Sequence, residues 1–106
     1  MKKLTINEQI FLIAIWHLDD DAYGVKIREK IIELTGSFMM FGTIYNTLDK
    51  LVKKGYVSTR KGGEATSERG GYKKVYYSMT KDGMLALRKA RELQKNLWAE
   101  IPQNAF

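Results

Sequence analysis

Cysteine is absent from this 106-residue chain, and histidine and proline occur once each. Without cysteine there is no disulfide and no thiolate chemistry, which fits a reducing cytosol. No run approaches the ~18 apolar residues that a membrane span needs. Residues 1–18 carry two lysines and then apolar residues, as a signal peptide would. Asn7, Glu8 and Gln9 interrupt that stretch, and no A-x-A-like cleavage site follows. A cytoplasmic chain with no membrane partner is therefore expected. Catalytic groups are scarce as well. His17 lies in an apolar helical stretch and reads as structural, and no Ser–His–acid arrangement is suggested. The pairs Gly62–Gly63 and Gly70–Gly71 lack the strand-to-helix setting of a phosphate loop. Asp19, Asp20 and Asp21 are consecutive, so they point in different directions and read as a solvated loop, not a cation site. No enzyme, cofactor or metal is expected.

What the chain has is positive charge, and its placement is uneven. Lysine and arginine number 18 against 12 acids, for a net charge of +6. Residues 42–81 hold nine of the basic groups and three of the acids, which accounts for the whole excess. A positive field concentrated in one segment attracts a polyanion to that segment. At 44% hydrophobic residues the chain can build one modest core. Domains this small bury a smaller share of their surface, so help from a second subunit is unsurprising.

Local signals order the elements. Thr5 and Glu8 form a T-x-x-E capping box ahead of Ile10, Phe11, Ala14, Ile15 and Leu18, and the three aspartates end that first helix. A second helix is expected over residues 23–34, with Val25, Ile27, Ile31 and Leu34 inward. A third begins near Gly42, with Ile44, Leu48, Leu51 and Val52 on one face and Gly55 beyond its end. Thr43, Thr47, Lys50 and Lys54 read as the opposite, polar face, flanked by Asn46. Two strands follow, over residues 56–60 and 72–79, joined by a Gly- and Ser-rich loop of 11 residues. Thr80 caps a last helix running towards Ile101, ahead of Pro102. Its narrow stripe of Ala86, Ala90, Leu93, Leu97 and Ile101 resembles a coiled-coil seam.

This order predicts a mainly helical α+β fold, a winged helix-turn-helix with a two-stranded wing and a C-terminal dimerisation helix. Residues 1–79 would be the DNA-binding domain and 80–106 the dimerisation helix and tail. A polar helix standing proud of a small core fits the major groove, whose base edges carry a readable code. Thr43, Asn46, Thr47, Lys50 and Lys54 would read bases or line the groove, while Arg60, Lys61, Arg69, Lys73 and Lys74 of the wing would hold phosphates. Tyr45 has two roles open to it, packing on the core edge or meeting a phosphate. Glu64 and Glu68 oppose DNA contact at the wing tip, and Lys53 reads as an i,i+4 partner of Asp49.

Three segments together resemble the PadR-like transcriptional regulators: "YGVKIREKI", "GTIYNTLDKLVKKGYVS" and "GGYKKVYYSMTKDG". Tyr23, Gly24 and Ile27 match a Y-G-x-x-I segment; Gly42, Thr43, Tyr45, Leu48, Leu51, Gly55 and Val57 match the recognition-helix run; Lys74, Tyr76, Tyr77, Thr80 and Gly83 match the segment after the wing. Ile44, Asn46, Val75 and Met79 depart from the pattern, so no operator sequence carries over. The resemblance implies a homodimeric repressor on double-stranded DNA with an inverted-repeat operator, paired through the last helix at Ala86, Ala90, Leu93, Leu97, Trp98 and Ile101. In the short subfamily it also implies a space between subunits for a small aromatic effector, lined here by Trp98 and Trp16. The plainer expectation puts Trp98 in the dimer seam and Trp16 in the core. The competing function is a protein-interaction module that keeps the winged-helix scaffold without binding DNA.

Overall fold

Thr5 accepts a hydrogen bond from the Glu8 amide (3.1 Å) and the Glu8 carboxylate accepts one from the Thr5 amide (2.9 Å). This reciprocal cap opens α1 (Ile6–Leu18) in the computed structural model, which describes residues 2–62 and 74–106. Phe11, Leu12, Ala14 and Ile15 bury its inner face. At Asp19 the backbone turns left-handed (φ 52°), and a 3-10 turn over Asp19–Asp21 leads into α2 (Gly24–Thr35). Ile27 and Ile31 of α2 enter the core; Val25 and Leu34, expected beside them, are exposed. Gly36 closes α2 at φ 71°, a conformation that a Cβ disfavours.

Helix α3 (Phe41–Lys53) buries Ile44, Leu48 and Leu51, and Gly55 follows it at φ 79°. Val52, expected inward, is exposed. Strand β1 (Val57–Gly62) pairs antiparallel with β2 (Lys74–Met79), from Val57 opposite Met79 to Gly62 opposite Lys74. Tyr56, expected to start the strand, is instead a core residue. Glu64, Glu68 and Arg69 of the expected loop, and Tyr72 and Lys73 of the expected second strand, lie outside the described residues. An isolated bridge, Tyr23 to Tyr76, joins a third segment of chain to the hairpin, which periodicity could not announce, and the Tyr77 amide donates to Ala22 O at 2.8 Å.

Helix α4 (Lys81–Ala99) begins at Thr80. The Thr80 hydroxyl accepts from the Gly83 amide (3.0 Å) and donates to Gly55 O (2.7 Å), and the Thr80 amide donates to Tyr56 O (3.0 Å). One residue therefore caps α4 and ties it to the turn after α3. Gly83 and Ala86 are buried in the core, so the first two turns of α4 are part of the domain's packing. The three helices and the two-stranded wing form a winged helix.

Candidate nucleic-acid interface

The face of α3 turned away from the core follows from helix geometry. At about 100° per residue, Asn46, Asp49 and Lys53 stand roughly opposite Ile44 and Leu48, with Thr43 and Lys50 on the flank. All five are exposed. Among the described residues no ion pair joins Asp49 to Lys53, so the expected intrahelical pair is not formed. Lys53 is thus a cation on the outward face, where the sequence pattern suggests a paired one.

Two of the residues expected on this face are turned inward. Thr47 is buried and its hydroxyl donates to Thr43 O at 3.0 Å. Lys54 reaches Glu8 of α1, with its Nζ 2.7 Å from both carboxylate oxygens, and also donates to Lys3 O at 3.3 Å. The cause is angular. Thr47 and Lys54 lie only about 60° and 80° from Ile44 around the helix, at the core's edge beside α1. Neither is kept as a DNA contact. Burial pushes the Glu8 carboxyl up, but the Lys54 ammonium and the Thr5 amide and hydroxyl outweigh it and hold its pKa below the ordinary value.

Tyr45 takes its packing role. A Cβ built on Gly24 would fall 2.2 Å from the Tyr45 hydroxyl, so the phenol occupies the space that glycine leaves at the start of α2. Its ring stacks on Phe41 with centroids 6.2 Å apart. The tyrosine–glycine dipeptide at the start of α2 and the tyrosine of α3 are therefore two halves of one contact.

On the wing, side chains alternate between faces. Arg60, Tyr76 and Lys74 share the face away from the core. Arg60 lies 4.4 Å over the Tyr76 ring and donates to Asp20 O at 3.1 Å; Lys74 Nζ lies 4.2 Å over the Tyr23 ring. Each cation lies against an aromatic ring, a cation–π contact. Lys61 is exposed on the other face of the hairpin, opposite Val75. Arg69 and Lys73 fall outside the described residues.

The last helix divides in two. Ala86 is buried in its own domain and is removed from the set of intersubunit residues. Ala90 is half-buried, and Gln94 reaches back to Gln9 of α1 (3.0 Å). Leu93, Leu97 (59% exposed), Trp98 (61%) and Ile101 are open, on the helix and just past its end at Ala99. Trp16 is 60% exposed and so is not a core residue. It lines a groove with Met79 and Met84, whereas Trp98 lines a separate one with Ile101, Pro102 and Phe106. Within one subunit the two tryptophans do not meet. His17, read from the sequence as structural, is exposed and meets the Trp16 ring edge-on.

Residues 13–89 match the Transcriptional regulator PadR-like family. The chain belongs to that family. Solved structures with this fold include a PadR-like transcriptional regulator from Bacillus cereus, 22% identical, covering 91% of this chain and 87% of that one at a TM-score of 0.71. A PadR family transcription regulator from Clostridium difficile is 26% identical over 89% of this chain and 88% of that one, at a TM-score of 0.58. F93 from STIV, a winged-helix DNA-binding protein, is 20% identical over 91% and 95%, at a TM-score of 0.69. No curated protein sequence matches the chain. Membership of a family of transcriptional regulators agrees with the expectation that the chain is not an enzyme. Among the described residues, no helix is long and apolar enough to cross a membrane.

Proposed function

We propose that this PadR-like chain is a homodimeric repressor that places two copies of α3 in successive major grooves of an inverted repeat. The observation that carries this is the outward face of α3: Thr43, Asn46, Lys50 and Lys53 are exposed, free of ion pairs among the described residues, and borne on a helix whose other face is fully packed. Asparagine and lysine suit adenine and guanine edges, and the threonine methyl suits thymine. Lys74 and Arg60, braced on tyrosine rings, supply backbone contacts beside the reading helix.

The two roles separate by mutation. Asn46→Ala is expected to change which operators bind, by about 1–3 kcal/mol at the position it reads. Lys74→Ala is expected to weaken every duplex alike and to flatten the salt dependence by about one unit for each phosphate no longer neutralised. Gel shifts against an operator selected from random DNA, with a scrambled duplex alongside, make the comparison. Identical behaviour of the two variants would contradict the division, and no binding by the wild type would favour the interaction-module reading.

The exposed Leu93, Leu97 and Trp98 form an apolar stripe that a second subunit would cover, with an aromatic effector stacking beside Trp98 between the subunits. Leu97→Lys is expected to yield monomers in sedimentation, and intact dimers would place the interface elsewhere. Quenching of Trp98 fluorescence by planar compounds, abolished in Trp98→Phe, tests the effector.

A further inference from the structure

The turn between α2 and α3 carries a cluster that neither the reading face nor the wing accounts for. Phe38 is 66% exposed and Met40 73% exposed, and Phe41 is exposed at the first position of α3. Arg28, one turn into α2, lies 4.4 Å from the Phe38 ring centroid and 4.2 Å from that of Phe41. Its guanidinium is thus held by two phenyl rings. The neighbouring lysines of α2 have acids of their own, Lys26 with Glu29 (3.9 Å) and Lys30 with Glu33 (3.1 Å). Arg28 has none among the described residues.

Phe38, left in water, and Phe41, which also stacks on Tyr45, together steady one unneutralised cation, and that arrangement calls for an anion. Stacking occupies the faces of a guanidinium and leaves its in-plane N–H fork directed outward, the geometry that grips a phosphate with paired hydrogen bonds. The location agrees. In a helix-turn-helix the helix before the reading helix crosses the DNA backbone, while the N-terminal residues of the reading helix approach the bases. Arg28 sits where these two meet, beside an α3 N-terminus whose N-cap residue, Met40, makes no side-chain cap bond. We infer that Arg28 is an additional backbone anchor, a bidentate ligand for one DNA phosphate per subunit, and that Phe38 and Phe41 are positioning residues that pre-set its fork. This rests on the proposed reading of the chain as a DNA-binding dimer and adds a contact to it.

The test is fluorescence anisotropy of the full chain with the selected operator and with a scrambled duplex, over a salt series. Arg28→Gln is expected to weaken both duplexes about tenfold and to lower the salt slope by about two units per dimer, one phosphate from each subunit. Arg28→Lys keeps the charge and so keeps the slope, while giving up the bidentate fork and several-fold in affinity. Phe38→Ala with Phe41→Leu keeps the slope too and weakens binding several-fold, since the cation remains but is no longer held. Circular dichroism melts of each variant check folding, and Arg28→Lys carries the test if Arg28→Gln does not fold. An unchanged slope in Arg28→Gln, full affinity in Arg28→Lys, or a loss confined to particular base pairs would overturn the assignment while DNA binding itself stood. A wild type that binds no duplex would remove both readings together.

Discussion

Gly83→Ala is expected to lower the melting temperature by about 10–20 °C, the largest effect of any single methyl group in this chain. A Cβ at that position would lie 2.2 Å from the backbone oxygen of Tyr56 and 3.0 Å from Met79 Cγ. Alanine would otherwise favour the helix by about 1 kcal/mol over glycine. The clash outweighs that gain, because a backbone carbonyl has no rotamer to move to. Helix α4 would have to slide away, stretching the bonds of Thr80 to Gly55 O and Tyr56 O, for a net loss of about 2–3 kcal/mol. Gly42→Ala is the control. Nothing stands within 4 Å of its Cβ, so the helix propensity is gained without strain. Thermal melts of both variants decide the matter, and a Gly83→Ala protein as stable as wild type would refute the contact.

Lys54→Ala is the second large change. It removes the partner of Glu8, a carboxylate that is buried on α1. Breaking a fully buried pair costs about 3–5 kcal/mol. Lys54 keeps some solvent, and the Thr5 cap still holds Glu8, so about 2–3 kcal/mol is expected here. The pH dependence supplies a sharper signature. In the wild type the folded pKa of Glu8 is depressed, so its stabilisation is present above 4.5, the ordinary carboxylate value, and disappears as pH falls through the lowered folded value. In Lys54→Ala the lowering by the ammonium is lost while burial still raises the pKa and the Thr5 cap still lowers it, so the depression shrinks and with it the stabilisation by the charged form. The gap in urea stability between the two proteins should therefore be widest near neutrality and close as the pH drops below about 4.5. A gap independent of pH would mean that Lys54 stabilises through its methylene stem and not through its charge.

The elements of this fold are legible where their signals are local. The caps at Thr5 and Thr80, and the chain reversal at Gly55, depend on atoms a few residues away, and each appears where the sequence puts it. What is not legible depends on angle or on distance along the chain. Residues 10–16 are apolar without interruption, so periodicity cannot say that Ile15 faces in and Trp16 out. On α3, spacings of four, three and four define a stripe but not how far it stands from the core. Thr43, Thr47, Lys50 and Lys54 make a quarter-turn flank, not the far side, which is why two of them pack while Lys53 faces outward. Lys54 meets Glu8 across 46 residues, and no local pattern announces such a pair.

The wing and the turn before α3 repeat the lesson in opposite directions. Lys74 is legible as a cation of the second strand, but its brace on Tyr23 needs the bridge between Tyr23 and Tyr76. Arg28 reads in the sequence as one solvated charge among several on α2. The available hint is "SFMMF", a run of large apolar residues in a turn where polar ones are usual. Three such side chains left exposed at the start of α3 are informative in the same way that a buried charge is.

Hydroxyl-radical footprinting of an operator selected from random DNA shows whether two α3 helices lie on one face of a duplex. Two protected patches are expected on the same side of the helix, with centres about 10–10.5 base pairs, ~34–36 Å, apart or a multiple of that. A single patch, or uniform weak protection along the duplex, would contradict that placement.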